Sequence, residues 1–140
     1  FKMVFNHDDA TYNHYFGLQN ASGTYKWAYR SPDGVLTSEQ TATVSTAVWY
    51  HVAITRSGND LKIFQDGTQV GSTVTGSENY ADIAGSLLIG RYADNTTFDF
   101  DGWIDEFNFV NGTALFTANF TPPTVPYGTA DPAKSYAYFM

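Results

Sequence analysis

The sequence predicts an all-β fold, an antiparallel sandwich or barrel, and three observations carry that prediction. Aromatic residues make up 17% of the 140 residues, with 11 Phe, 10 Tyr and 3 Trp. Such side chains suit a pleated, half-buried surface better than a helix. The apolar segments are short, and several alternate with the period of two that a strand with one buried face requires. Gly, Asn, Asp and Ser interrupt them at close intervals, as in sandwiches and barrels. Helix signals are almost absent.

In chain order, FKMVF at 1–5 reads as a strand. HYFGLQN at 14–20 is a second strand, closed by the turn NASG. TYKWAYR at 24–30 alternates cleanly: Tyr25, Trp27 and Tyr29 share one face, and Lys26, Ala28 and Arg30 share the other. SPDG at 31–34 is a strong turn. Residues 35–46 are rich in Thr and Ser, and their alternation is too weak to fix a pairing.

The clearest local pattern comes next. In WYHVAITR, Tyr50, Val52 and Ile54 lie on one face, with Trp49, His51, Ala53 and Thr55 on the other. SGND is a turn, LKIFQ a strand, and Asp66-Gly67 a two-residue hairpin signal leading into TQVGSTV. SENYADIAGS at 77–86 reads as a loop or a short helical turn, SLLIGRY at 86–92 as a strand, and ADNTT as a loop. FDFDGWIDEFNFV at 98–110 is long and aromatic and predicts strand, with Gly102 marking a bulge or a turn between two strands. NGTALFTANF has no clear period. TPPTVPYG is extended, and KSYAYFM at 134–140 reads as a last strand or the start of another module.

Composition removes several function classes. Net charge is −7, Lys and Arg total 7, and no basic cluster occurs, so a nucleic-acid footprint is missing. Attachment to an anionic membrane surface is disfavoured for the same reason. No apolar run approaches the roughly 18 residues of a membrane-spanning helix. Without cysteine there is no disulfide framework and no thiolate metal site. Charged residues are only 15%, which predicts a polar but nearly neutral surface of the kind seen in extracellular and virion β-proteins. The opening in mid-strand predicts a fragment, a processed product or the ordered part of something longer.

WYHVAITRSGNDLKIFQDGTQVGS, LLIGRY and DGWIDEFNFVNGTALFTANFTPPTVPY occur in that order over about residues 48–127. As an ordered set they resemble the laminin G-like, concanavalin A-like jelly-roll superfamily, in the version common in bacteriophage tail and other structural proteins and in bacterial surface proteins. The resemblance implies two packed antiparallel sheets, with a sandwich domain over 1–127 and a C-terminal extension or last strand over 128–140. Such modules usually begin with strands ahead of the FKMVF region. The sandwich is therefore expected to lack its first strands, with an open edge that an intermolecular strand covers.

Candidate site residues follow. His7, His14 and His51 have no ligand spacing, so His51 reads as a strand histidine with one hydrogen bond. Trp49 is expected to pack at a sheet end, and Arg56 to pair with an acid or cover apolar surface with its stem. Retaining glucanases of this general fold carry two Glu on one strand face in a Glu-x-Asp-x-x-Glu pattern. Here Trp103 or a neighbour falls at the first position and the second Glu is missing, so no enzyme is expected. Asp99, Asp101 and Asp105 would share a strand face in the absence of a bulge.

Laminin G-like modules often hold a calcium ion at the sandwich rim, and calcium takes about six to eight oxygens. Asp94, Asp99 and Asp101 are the candidate metal ligands, with Asn95 beside them, though turn capping accounts for the same residues. Trp27, Tyr29, Tyr92 and Trp103 are candidate platforms for a sugar ring, with Asn95 for its hydroxyls. Sequons stand at Asn20, Asn95, Asn111 and Asn119, where turn propensity explains them equally well.

The expected function is a non-enzymatic structural and adhesion module of a larger assembly. Its expected setting is a bacteriophage virion or a cell surface, where it acts as a homo-oligomer through protein packing and host contact. The alternative is a lectin-like glycan-binding module assisted by calcium.

Overall fold

The computed structural model describes residues 1–9, 11–32, 34, 37–77 and 83–124. Nine strands fill it: β1 Lys2–Asp8, β2 Asn13–Ala21, β3 Thr24–Arg30, β4 Thr37–Thr41, β5 Val52–Ser57, β6 Asp60–Gln65, β7 Thr68–Gln69, β8 Val74–Thr75 and β9 Leu87–Ile89. Among the described residues one 3-10 turn is present, at Thr96–Phe98. The first sheet runs β4-β3-β2-β1-β9 and the second β5-β6-β7, with β8 also paired to β6. Every pairing is antiparallel.

The Thr-rich segment with no legible register is β4, which pairs with β3 from Lys26↔Thr41 to Arg30↔Thr37. The Asp66-Gly67 turn forms as predicted: φ is 50° at Asp66 and 76° at Gly67, the left-handed pair that a two-residue hairpin needs. Asp66 also ties this turn to the strand beside it. Its amide donates to His51 O at 2.7 Å, and its Oδ1 accepts from the His51 amide at 2.9 Å. The SPDG turn is closed by the Gly34 amide donating to Ser31 O at 2.9 Å.

The two sheets enclose one main core. Val4, Phe5, Phe16, Trp27 and Tyr29 come from the first sheet and Val52, Leu61 and Ile63 from the second. Trp27 stacks on Phe16 with ring centroids 5.5 Å apart. Its Nε1 donates to Gln65 Oε1 at 2.8 Å, so one hydrogen bond crosses the core from β3 to β6. Burying a side chain such as Phe16 contributes about 2 kcal/mol.

The other face of the second sheet is covered by the chain around 113–120, where Ala53, Phe64 and Phe116 form a smaller core with Leu115 and Phe120. Thr55 Oγ1 donates to Phe116 O at 2.8 Å, Lys62 Nζ to Thr117 O at 2.6 Å, and the Phe120 amide to Gly67 O at 2.9 Å. The alternation in WYHVAITR is thus realised. Val52 and Ile54 face the main core, and Ala53 and Thr55 face the covering segment.

Residues 98–110 depart from expectation: beyond the 3-10 turn they form no strand. The Phe100 amide donates to Gly90 O at 2.8 Å, which ties their start to the end of β9. A left-handed Glu106, with φ 51°, then breaks the extended run, and its amide donates to Asp105 Oδ1. With no strand, Asp99, Asp101 and Asp105 do not share a strand face. The readings of 78–82 and of the tail over 128–140 lie outside the described residues.

Candidate functional site

A cleft of about 450 Å³ opens at the edge of the main core, between the 44–50 loop that enters β5 and the 100–103 segment. The chain has three tryptophans, and all three line this cleft. Trp27 is held at the base by its stack on Phe16 and its bond to Gln65, and it is 5% exposed. Trp49 and Trp103 stand 57% and 84% exposed. Tyr25, Tyr50 and Asp101 complete the wall.

The 44–50 loop has two local constraints. The Ser45 amide donates to Tyr50 Oη at 2.9 Å, which closes the loop on itself. Ala47 is left-handed with φ 59°, a conformation that costs a non-glycine residue about 1 kcal/mol or more. The loop delivers Trp49 to the cleft rather than packing it at a sheet end, as the sequence reading expected.

The predicted site residues separate. Trp27 and Trp103 come together in the cleft, with Asp101 at its wall. Tyr29 is 4% exposed in the core, so neither it nor Trp27 offers a surface platform by itself. Both rings lie on the face of β3 turned toward the second sheet, and alternation grouped them correctly without saying which way that face turns. Tyr92 lies on the 91–99 loop, where its hydroxyl accepts from Asn13 Nδ2 at 2.9 Å and its ring meets Phe98 edge-on. Asn95 caps the 3-10 turn through Oδ1, which accepts from the Thr97 amide.

The expected metal ligands do not converge. Asp94 is exposed, Asp99 Oδ1 accepts from the Tyr92 amide at 3.1 Å, and Asp101 belongs to the cleft. Among the described residues no group of three or more His, Asp or Glu is placed to hold a metal ion. Capping accounts for Asn95 and Asp99 here.

His51 stands against the covering segment, edge-on to Phe116 and Phe120 at 6.4 and 5.4 Å. Burial lowers its pKa, and the neighbouring Asp66 carboxylate opposes that shift. These are the surroundings of a packed strand histidine. Arg56 donates to the carbonyls of Gly58 and Gly76 at 3.1 and 3.3 Å.

A second cavity, of about 620 Å³, lies toward the other end of β3 and β5. It touches His14, Tyr29, Arg56 and Phe109. Burial lowers the pKa of His14 to about 4, with a smaller contribution from His7. Edge-on contacts with Phe5 and Tyr29, at 5.0 and 5.4 Å, build that apolar setting.

A laminin G family model, described as the concanavalin A-like lectin/glucanases superfamily, matches residues 2–128. The chain belongs to this superfamily. Its concanavalin A-like domain is a module often used in adhesion or carbohydrate binding, and laminin G-like members are typically non-catalytic. Comparison with curated proteins and with solved structures found no match. In this concanavalin A-like domain residues 98–110 form no strand, and Asp105 Oδ1 accepts from the Glu106 amide at 2.9 Å.

Proposed function

We propose that the chain is a non-enzymatic structural and adhesion module of a larger assembly, in the setting of a bacteriophage virion as part of a tail fibre, spike or decoration protein. It packs against other subunits, copies of itself included, and contacts the host surface.

One observation carries this reading. Among the described residues strand β9 pairs with β1 alone, and its Leu87 and Ile89 are 41% and 48% exposed. A sheet edge with exposed apolar residues is a template for pairing with another chain. The superfamily membership agrees with a binding role.

Light scattering over a range of concentrations tests it. The expected result is a concentration-independent oligomer that a Leu87→Lys, Ile89→Lys double variant dissociates. A monomer at every concentration would overturn the assembly reading.

A further inference from the structure

We infer that the cleft between the 44–50 loop and the 100–103 segment is a docking site for a basic segment of a partner protein. It receives an arginine side chain, with Trp49 and Trp103 as stacking faces and Asp101 as counter-charge. The inference deepens the assembly reading and rests on it, because it names the chemistry of a partner surface.

Exposed apolar surface marks the cleft as an interface. Tyr25, Val48, Trp49 and Trp103 are exposed by 36%, 54%, 57% and 84%, and all four line it. Large apolar side chains gathered in solvent beside polar groups are the signature of a protein contact. Trp and Tyr, together with Arg, also supply most of the strong anchors in protein interfaces. The volume of about 450 Å³ gives a partner side chain a recess to enter rather than a flat face to lie against.

Charge selects the partner. Among the described residues lining the cleft, Asp101 is the one with a charged side chain, and there is no Lys, Arg or His. The whole chain carries −7. An acidic segment is repelled here, whereas a cation is drawn in and meets no like charge in the cleft. The indoles act in the same direction. The face of an aromatic ring is the negative end of its quadrupole, and Trp attracts a cation better than Tyr or Phe does. Two exposed indoles and one carboxylate are therefore complementary to the same group.

Arginine fits this combination better than lysine. Its guanidinium is planar and weakly hydrated, so it stacks on an indole while its forked N–H groups reach a carboxylate. The lysine ammonium is a compact, strongly hydrated point charge with no flat face. The hydroxyls of Ser45 and Thr46, which also line the cleft, are further acceptors for the N–H groups that a carboxylate leaves over. The left-handed Ala47 and the closed 45–50 loop fix the position of Trp49 before a partner arrives, which reduces the ordering cost of docking.

Because every tryptophan lines the cleft, intrinsic fluorescence reads its occupancy directly. The test titrates the whole chain, at low ionic strength, with the pentapeptide GRGRG, its lysine counterpart GKGKG and a version carrying citrulline, the uncharged isostere of arginine. The expected result is a saturable emission change with the arginine peptide, weakened by added salt, and at least tenfold weaker binding of the other two. Trp103→Ala and Asp101→Asn each weaken the arginine peptide at least tenfold, about 1.4 kcal/mol, and Trp103→Phe restores part of the loss. Trp103 and Asp101 are exposed, so these variants are expected to keep the wild-type circular dichroism and melting temperature. Equal affinity for the lysine peptide would mean that net charge alone attracts it, and equal affinity for the citrulline peptide would mean that charge plays no part. Either result overturns the inference. So does wild-type affinity in Trp103→Ala, or no saturable change with the arginine peptide up to about 10 mM. The readout is independent of oligomeric state, so an oligomer that binds no arginine peptide sinks this inference alone.

Discussion

Gly67→Ala is expected to undo the cover over the second sheet, and its cost can be built from the structure. Gly67 has φ 76°, where alanine pays about 1 kcal/mol for a left-handed backbone. An added Cβ there would overlap the carbonyl oxygen of Phe120 and lie 2.9 Å from Pro122 Cδ. The obstruction is backbone, so the covering segment itself must shift. That movement loses the Phe120 amide bond to Gly67 O, worth about 1 kcal/mol, and loosens Phe120 from Phe64, worth about another. The total is about 3 kcal/mol. Gly58→Ala is the matched control: φ is 58° and nothing lies within 4 Å of an added Cβ, so only the left-handed cost of about 1 kcal/mol applies. At about 3 °C per kcal/mol for a domain of this size, the melting temperature should fall by about 9 °C in Gly67→Ala and about 3 °C in Gly58→Ala. Calorimetry on both variants measures the difference. Equal falls would refute the idea that Gly67 is required by the approach of Phe120.

The remaining predictions concern the core, the histidines and metal. Trp27→Phe should destabilise by about 2–3 kcal/mol in urea titrations, because it removes the bond to Gln65 and leaves a gap beside Phe16. His14 is lowered to about 4 in the folded state, against about 6.5 when unfolded. The unfolded chain therefore binds a proton first as pH falls, so stability drops between about pH 6.5 and 4 and levels below that, by up to about 3 kcal/mol. Burial shifts His51 in the same direction, adding acid lability. His14→Gln should reduce the loss between pH 7 and 4.5, and an unchanged loss would remove His14 as its source. EDTA is expected to leave the melting temperature in place, since the described residues gather no acidic ligand cluster; a drop on chelation, restored by calcium, would contradict this.

The parts of the fold legible in sequence are those set by local chemistry. Period-two alternation marked β3 and β5, and the two left-handed positions of Asp66-Gly67 marked a hairpin. Alternation states which side chains share a face, but not which face turns inward. Trp27 and Tyr29 were thus grouped correctly and offered as candidate sugar platforms, while they lie in the core. β4 offered no signal because its Thr, Ser, Glu and Gln form an edge strand held by its partner's backbone. The 98–110 segment has the composition of a strand, but strand formation needs a partner as well as propensity, and a left-handed Glu106 is invisible in sequence. Trp49 was missed as a cleft residue for a related reason. Its exposure is decided by the 45–50 loop, where an alanine takes a backbone conformation that nothing in the sequence announces.

The place of β1 between β2 and β9 has a consequence for synthesis. Its pairing with β2 is nearly local, whereas Phe5↔Ile89 and His7↔Leu87 join residues about eighty positions apart. At roughly 5–20 residues per second, β1 leaves the ribosome several seconds before its second partner exists. Meanwhile the β5–β6 meander can close from contacts only a few residues apart. Until β9 arrives, Met3, Val4 and Phe5 sit on an unsealed strand in a crowded cell, and that interval is when the nascent chain is most exposed to a wrong pairing partner.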